Sequence, residues 1–351
     1  MRVVVDDKIP FIRGEVEQLV DEVVYLPGAE IGPEDVREAD ALIVRTRTIC
    51  NRQLLEGSRV RFIATATIGY DHIDTEYLDE TGIQWTNCPG CNATSVGQYV
   101  RNALLEAEQS GLIRLCEATV GIVGYGHVGK AVYNALRPYV KRIIVNDPPL
   151  FESEESIFSK DCSQLDKRNS YSSLFTLHSS LKEIAASCDI ITFHTPLTTD
   201  GPYPTYHLAN ELFLSDLKHR PIIINAARGG VVDEEALLRA MDSGHVRQAI
   251  IDTWEGEPNI NPTLLKRAFI STPHIAGYSA DGKANATRIS LTMFAKWLRV
   301  KDGIKDFRIT PPEASKARTG LNYRPTEDSK RLKEHPEQFE KQRGNYPLRR
   351  E

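Results

Sequence analysis

The chain has 351 residues, of which 41% are apolar and 26% charged, and it carries a formal net charge of −5. That length leaves room for two domains with sizeable cores, the acidic balance excludes a general nucleic-acid partner, and no apolar stretch reaches the roughly 18 residues of a membrane-spanning helix. Met1-Arg2-Val3-Val4-Val5-Asp6-Asp7 has too short an apolar run for a signal peptide and reads as a strand, so a cytoplasmic location without a membrane partner is expected.

From that first strand onward, short β-branched runs alternate with helical patterns. They fall at residues 3–5, 23–25, 41–44, 62–64 and 83–86, and again at 120–123, 143–146, 190–193, 222–225, 249–252 and 269–271. A βα repeat of this kind predicts α/β architecture with parallel sheets covered by helices. Helix-patterned stretches at 94–115 and 280–300 are long enough to bridge two domains. The arrangement expected is a pair of Rossmann-like or flavodoxin-like domains. The nucleotide domain, 94–280, is inserted into a substrate-binding lid domain made of 1–93 and 281–300, and the cleft between them is the active site.

Six cysteines (Cys50, Cys88, Cys91, Cys116, Cys162, Cys188) are expected as reduced thiols in a chain of this size with no export signal. Cys88-Pro89-Gly90-Cys91 has redox-pair spacing, but Pro-Gly ends the strand at 83–86 as a turn does. There is no second pair to complete a zinc site, so no metal is expected.

The second domain opens with Gly121-Ile122-Val123-Gly124-Tyr125-Gly126-His127-Val128-Gly129, directly after an apolar strand. Gly124 permits the tight turn, Gly126 lets backbone approach a pyrophosphate, and Gly129 lets the helix pack on the sheet. The helix N-terminus adds N–H donors and partial positive charge. Asp147 ends the next strand, where a carboxylate accepts from ribose hydroxyls and repels a 2′-phosphate; no Arg or Lys follows in Asp147-Pro148-Pro149-Leu150. NAD is therefore expected over NADP. The Ser-rich stretch at 150–180 lacks a clear period and reads as a surface excursion.

Three polar clusters follow strands of this domain, where open α/β sheets place their sites. The first, Asn225-Ala226-Ala227-Arg228-Gly229-Gly230, offers an arginine able to grip a planar carboxylate bidentately, although from that residue alone a solvated surface arginine is as good a reading. The second and third, Asp252-Thr253-Trp254-Glu255-Gly256-Glu257-Pro258 and Thr272-Pro273-His274-Ile275-Ala276-Gly277-Tyr278, bring Glu257 and His274 onto successive loops. A carboxylate bonded to an imidazole fixes its tautomer and raises its basicity. His194 is expected to line the cofactor pocket, and His127, His178, His207, His219, His245 and His335 are read as loop residues with local bonds.

With Arg228, Glu257 and His274 in this order, residues 1–300 resemble the D-isomer-specific 2-hydroxyacid dehydrogenases. Thr65-Ala66-Thr67-Ile68-Gly69-Tyr70-Asp71-His72, Pro89-Gly90-Cys91-Asn92-Ala93, Phe193-His194-Thr195-Pro196-Leu197, Trp254-Glu255-Gly256-Glu257-Pro258 and His274-Ile275-Ala276-Gly277-Tyr278 are similar to the branch that oxidises 4-phospho-D-erythronate. The resemblance implies an NAD-dependent, homodimeric enzyme with Arg228, Glu257 and His274 as catalytic residues. It implies substrate contacts at Thr46, Thr67 and Tyr278, although the two threonines taken alone are ordinary strand residues. For the cofactor it implies Gly126, His127, Val128, Gly129, Asp147, Thr195, Ala226, Ala227, Arg228, Asp252 and Gly277, beside Gly124. A sibling enzyme using another 2-hydroxy acid, or an NADH-sensing corepressor-like scaffold, are the rival readings.

The sequence departs from the family at Gln98, where Glu is usual, and in the Ser-rich stretch, which looks like an insertion. Residues 301–351 contain 13 Lys/Arg against 9 Asp/Glu and few apolar residues. They are expected to be either disordered or an arm laid on another surface, and residues 336–346 look like a shortened dimerisation segment. Arg45 and Arg47, flanking Thr46, are candidates for the substrate phosphate. Arg349 and Arg350 are weaker ones, to be weighed against a solvated basic terminus.

Overall fold

Strands covered by helices on both sides have no solvent face, so their sequences are apolar at successive positions instead of alternating. In the computed structural model the strands at Ala41–Val44, Ile190–Phe193 and Ile222–Asn225 are buried at every residue. The structure describes residues 1–154, 175–176, 179–299, 307, 309–313, 318–347 and 349–351. They divide into two compact units: Met1–Asn92 with Ser279–Glu313 and Arg350, and Ala93–Tyr278 with Ala314–Arg349 and Glu351.

The first unit is built on a parallel sheet of β1 (Arg2–Asp6), β2 (Glu22–Leu26), β3 (Ala41–Val44), β4 (Phe62–Thr65) and β5 (Gln84–Thr86), in the order β2-β1-β3-β4-β5. The helix Ala280–Trp297 belongs to this unit, started by Ser279, whose side chain accepts from Gly282 N. Its Leu291 and Phe294 enter a core with Val3, Val5, Ile43 and Phe62. Cys88 is buried there and its thiol lies 3.2 Å from Ala286 O. Among the described residues Cys50, Cys88, Cys91, Cys116 and Cys188 form no disulfide, and Gly90, at φ 76, makes the turn expected between Cys88 and Cys91. Cys162 and His178 lie outside the described residues.

The second unit carries β6 (Thr119–Val123), β7 (Arg142–Asn146), β8 (Phe175–Thr176), β9 (Ile190–Phe193), β10 (Ile222–Asn225), β11 (Gln248–Ile251) and β12 (Ile270–Ser271). Their order is β12-β11-β10-β9-β6-β7-β8, all parallel among the described residues. Val123 pairs with Asn146 on one side and Phe193 on the other, so the order reverses at β6 and the glycine loop leaves the sheet at this switch point. The helix Ala93–Gln109 packs on the helix His127–Leu136 so closely that a Cβ on Gly97 would lie 2.9 Å from Ala131 O.

Two expectations are corrected here. The stretch at 150–180 is not wholly a surface excursion, because the helix Pro148–Glu154 continues from β7 and Phe175–Thr176 extends the sheet opposite Ile143 and Ile144. A two-residue strand is too short to register as a periodicity. The helix expected at 94–115 stops at Gln109, because Gly111 is left-handed at φ 76 and Leu112 N closes onto Ala107 O.

Residues 318–347 of the tail form an arm that lies on its own second unit, while Phe307 and Ile309 pack in the core of the first. Helix Pro325–Glu334 contributes Leu332 and helix Phe339–Gly344 contributes Phe339 to a core with Trp254, Leu264 and Leu265. Glu106 receives Arg324 Nε, Thr326 N and the Thr326 hydroxyl at 2.9, 3.0 and 2.6 Å. Few apolar residues suffice because Tyr323, Leu332 and Phe339 are almost wholly buried and polar groups such as Glu106 are paired. Among the described residues no helix is long and apolar enough to cross a membrane.

Candidate active site

The glycine loop has the geometry its spacing implies. Gly124 sits at φ 91, with His194 C only 2.7 Å from where a Cβ would be, and a Cβ on Gly129 would collide with Gly124 O. Gly126 has open space where its Cβ would stand. It directly precedes the helix His127–Leu136, whose first N–H groups take no cap from the Gly126 position and stand at the positive end of the helix dipole. Asp147 accepts from Tyr125 N at 2.6 Å and Leu150 N at 3.1 Å, which ties the loop to the end of β7. A carboxylate has about four acceptor positions, so two remain for hydroxyls.

Beside this loop, Thr195 Oγ1 and His194 Nδ1 are buried without a hydrogen-bond partner. His194 Nε2 meets Thr192 Oγ1 at 2.8 Å, and burial pushes its imidazole down to about 3, so the ring is neutral. Orphaned polar atoms next to a backbone cradle that tolerates no Cβ fit a dinucleotide. Gly124, Gly126 and Gly129 form this cradle, His127 and Val128 begin the helix that leaves it, and Asp147 and Thr195 lie beside it.

Three further loops converge at the ends of β10, β11 and β12. Asn225 Nδ2 donates to Arg228 O at 2.9 Å, and the Gly229 that follows approaches Trp254 O so closely that no side chain fits. Arg228 is thereby anchored by its backbone, while its guanidinium spends Nη1 on Ala227 O at 2.9 Å. Glu257 Oε1 accepts from Trp254 N at 2.9 Å, and Glu257 Oε2 lies 2.8 Å from His274 Nδ1. Burial works against ionisation of Glu257, but the bond and charge of His274, the Trp254 N–H and Arg343 outweigh it and hold the carboxyl below its ordinary range.

His274 has a left-handed backbone at φ 55, a conformation that costs free energy and persists only when the surroundings impose it. Asp252, 1% exposed, imposes it here. Its carboxylate accepts from Thr272 Oγ1 at 2.6 Å, Ile275 N at 2.8 Å and Ala276 N at 2.9 Å, while His274 N donates to Asp252 O at 2.8 Å. Burial raises the Asp252 pKa from its usual value. Expected as a cofactor contact, its carboxylate is occupied by the loop that carries His274. Ala226, Gly277 and Tyr278 are half-buried on the same loops, and Ala227 is buried.

In the first unit, the Thr67 hydroxyl donates to Gly69 O at 2.8 Å and shapes the turn after β4, while Thr46 and Arg47 are exposed. Arg45 departs from the expectation of a guanidinium facing an anion in common with Arg47. Its Nε and Nη2 bind the two oxygens of Asp6 at 3.0 and 3.2 Å, because Asp6 is 0% exposed and requires a cation. The terminal pair is corrected as well, since neither arginine is a solvated basic terminus. Arg349 is 0% exposed, donates to Ala276 O at 2.6 Å and lies over the Tyr323 ring, and Arg350 is bonded to both oxygens of Asp281 at 3.0 and 2.8 Å.

One neighbour of the site escaped sequence reasoning. Arg343 approaches Glu257 Oε2 at 3.6 Å with Nη1 and donates to the Tyr278 hydroxyl with Nε at 3.2 Å. It stands in a polar tail with no motif around it. Its only signal was the run 336–346, whose similarity to a dimerisation segment directed attention away from the site.

The family model described as "D-isomer specific 2-hydroxyacid dehydrogenase, NAD binding domain" matches residues 92–276. Erythronate-4-phosphate dehydrogenase of Bacteroides fragilis is 49% identical over 360 residues, which cover 100% of this chain and 97% of that protein. The enzyme of the same name from Escherichia fergusonii is 37% identical over 369 residues, covering 100% and 92%. Among solved structures, NAD-bound 3-phosphoglycerate dehydrogenase of Entamoeba histolytica has a TM-score of 0.66 at 24% identity, covering 87% of this chain and 97% of that one. At that identity the likeness is one of fold.

Proposed function

Because this chain belongs to the D-isomer-specific 2-hydroxyacid dehydrogenase family, we propose that it oxidises 4-phospho-D-erythronate at C2 with NAD. The products are 3-hydroxy-2-oxo-4-phosphooxybutanoate and NADH, and the reaction is a step of pyridoxal 5′-phosphate biosynthesis. The observation that carries the chemistry is the 2.8 Å contact of His274 Nδ1 with an ionised Glu257. The substrate follows from relatives of that name at 37–49% identity over the full chain.

Bound NAD would supply the hydride acceptor for C2. Nδ1 of His274 keeps its proton on Glu257, so the other ring nitrogen, Nε2, is the base that takes the C2 hydroxyl proton, and Glu257 stabilises the imidazolium that results. The carboxylate and C2 oxygen of the substrate are assigned to the Arg228 guanidinium, whose fork matches a planar carboxylate. Asp252 acts by holding the His274 backbone in its left-handed conformation. Thr46, Thr67 and Tyr278 are assigned to the substrate, and Arg45 and Arg47 to its phosphate, Arg45 through the N–H groups that Asp6 leaves over. Gly124, Gly126, His127, Val128, Gly129, Asp147, Thr195, Ala226, Ala227, Arg228 and Gly277 are assigned to the cofactor. The working form is proposed to be a cytoplasmic homodimer.

The test is NADH formation by the purified protein with 4-phosphoerythronate, 3-phosphoglycerate, lactate and glycerate, compared by kcat/KM. The reading expects 4-phosphoerythronate to exceed the unphosphorylated acids, lactate and glycerate, by at least about a hundredfold, and to exceed 3-phosphoglycerate, which carries a phosphate on a chain one carbon shorter, by at least about tenfold. A higher kcat/KM for 3-phosphoglycerate would replace the substrate. Inactivity on every acid with NAD still bound would favour a sensor.

A further inference from the structure

Several carboxyl groups surround the Glu257–His274 pair, and of these Glu255 is itself paired with His207. Asp252 lies behind His274, and Glu234, whose buried carboxyl is pushed up to about 7, and Glu255 lie beside Glu257. From the tail, Arg343 faces it, with Nη1 3.6 Å from Glu257 and also 3.6 Å from Glu340 of its own helix. Such a cluster of negative charge favours protonation of the pair, whereas the proposed reaction needs His274 neutral with Glu257 ionised.

We infer that Arg343 is a positioning residue of this site: its guanidinium keeps Glu257 ionised and opposes protonation of the pair, while its Nε holds the hydroxyl of Tyr278. The inference rests on the dehydrogenase reading given above.

The tail is built to fix this side chain in place. Arg343 is in the last turn of the helix Phe339–Gly344, whose Phe339 is buried in the core, and the chain beyond it is tied down twice. The Tyr346 hydroxyl donates to Asp328 at 2.6 Å, and Arg349 donates to Ala276 O on the His274 loop itself. Arg343 therefore approaches Glu257 and Tyr278 from an anchored segment, and its side chain keeps 27% exposure, so the fold does not depend on burying it.

The experiment compares Arg343→Gln, which removes the charge, with Arg343→Lys, which keeps it and loses the planar fork. Without substrate, the His274 imidazole resonance, assigned by its absence in His274→Asn, is followed through a pH titration in each protein. In Arg343→Gln its midpoint is expected about half to one pH unit higher than in wild type, a partly screened loss of one cation at this distance. In Arg343→Lys it stays near wild type. In turnover, the acid limb of kcat/KM moves the same way in Arg343→Gln only, and both variants raise KM because the bond to Tyr278 is altered.

Coincident titrations of Arg343→Gln and wild type would overturn the inference, as would equal shifts in the Gln and Lys variants. A melting temperature that collapses in Arg343→Gln would also overturn it, by making the residue a strut. Because the titration needs neither NAD nor substrate, it reads Arg343 even if the proposed substrate proves wrong.

Discussion

Replacing Glu257 by Gln removes one negative charge and one oxygen while keeping the shape of the side chain, and both losses fall on His274. Two unit charges about 4 Å apart attract by roughly 4 kcal/mol at an effective dielectric of 20. Glu257 and His274 are 18% and 26% exposed, so solvent screening reduces this to about 1–2 kcal/mol, equivalent to about one pH unit. Losing the anion makes the imidazolium less favourable, so the acid limb of the rate profile in the oxidation direction moves to lower pH by about that amount.

The hydrogen bonds add a second cost. Glu257 takes Trp254 N on one oxygen and His274 Nδ1 on the other, and an amide has only one oxygen to offer. If it stays on Trp254 N, the NH₂ group faces Nδ1 and selects the tautomer with the proton on Nε2, which then cannot act as base. If it turns to His274, two donors confront each other at Trp254, at about 1–3 kcal/mol. Together the effects amount to roughly 2–5 kcal/mol, or about thirtyfold to several thousandfold in kcat. The assay is the pH dependence of NADH formation beside NAD affinity, which should be retained. A rate within threefold of wild type with an unmoved acid limb would refute the coupling.

His274→Ala should lower kcat by about 10²–10⁴, the usual worth of a positioned acid/base group, with NAD binding intact by calorimetry; near-wild-type turnover would remove His274 from its role. Asp147→Ala should weaken NAD and narrow its preference over NADP, because the ribose acceptor, the repulsion of a 2′-phosphate and the tie to Tyr125 N are lost together; a wild-type ratio of the two affinities would place the discrimination elsewhere. Arg45→Ala should cost about 2–4 kcal/mol in denaturant unfolding by leaving the buried Asp6 without its cation. It should also raise KM for the phosphorylated acid more than for an unphosphorylated analogue. An unchanged unfolding midpoint would contradict the first expectation, and equal KM changes the second.

Local physics made much of this protein legible in its sequence. Apolar runs at 41–44, 190–193 and 222–225 coincide with strands buried on both faces, since a covered parallel strand can carry few polar residues. The glycine roles at 124, 126 and 129 follow from what a Cβ would strike, and His274 and Glu257 stand on loops leaving neighbouring parallel strands, which brings the loop ends together. What tertiary structure decided was the pairing of groups far apart in the chain. Arg45 reads as a side chain with its whole fork open to an anion until Asp6, 39 residues away in sequence, is seen buried beneath it and taking part of that fork. Arg349 reads as a mobile terminus until it is found sealed over Tyr323, and nothing in the run 336–346 around Arg343 points to Glu257. A side chain's charge is a property of its residue, but the partner that answers the charge depends on which surfaces folding brings together, and neither periodicity nor spacing encodes that.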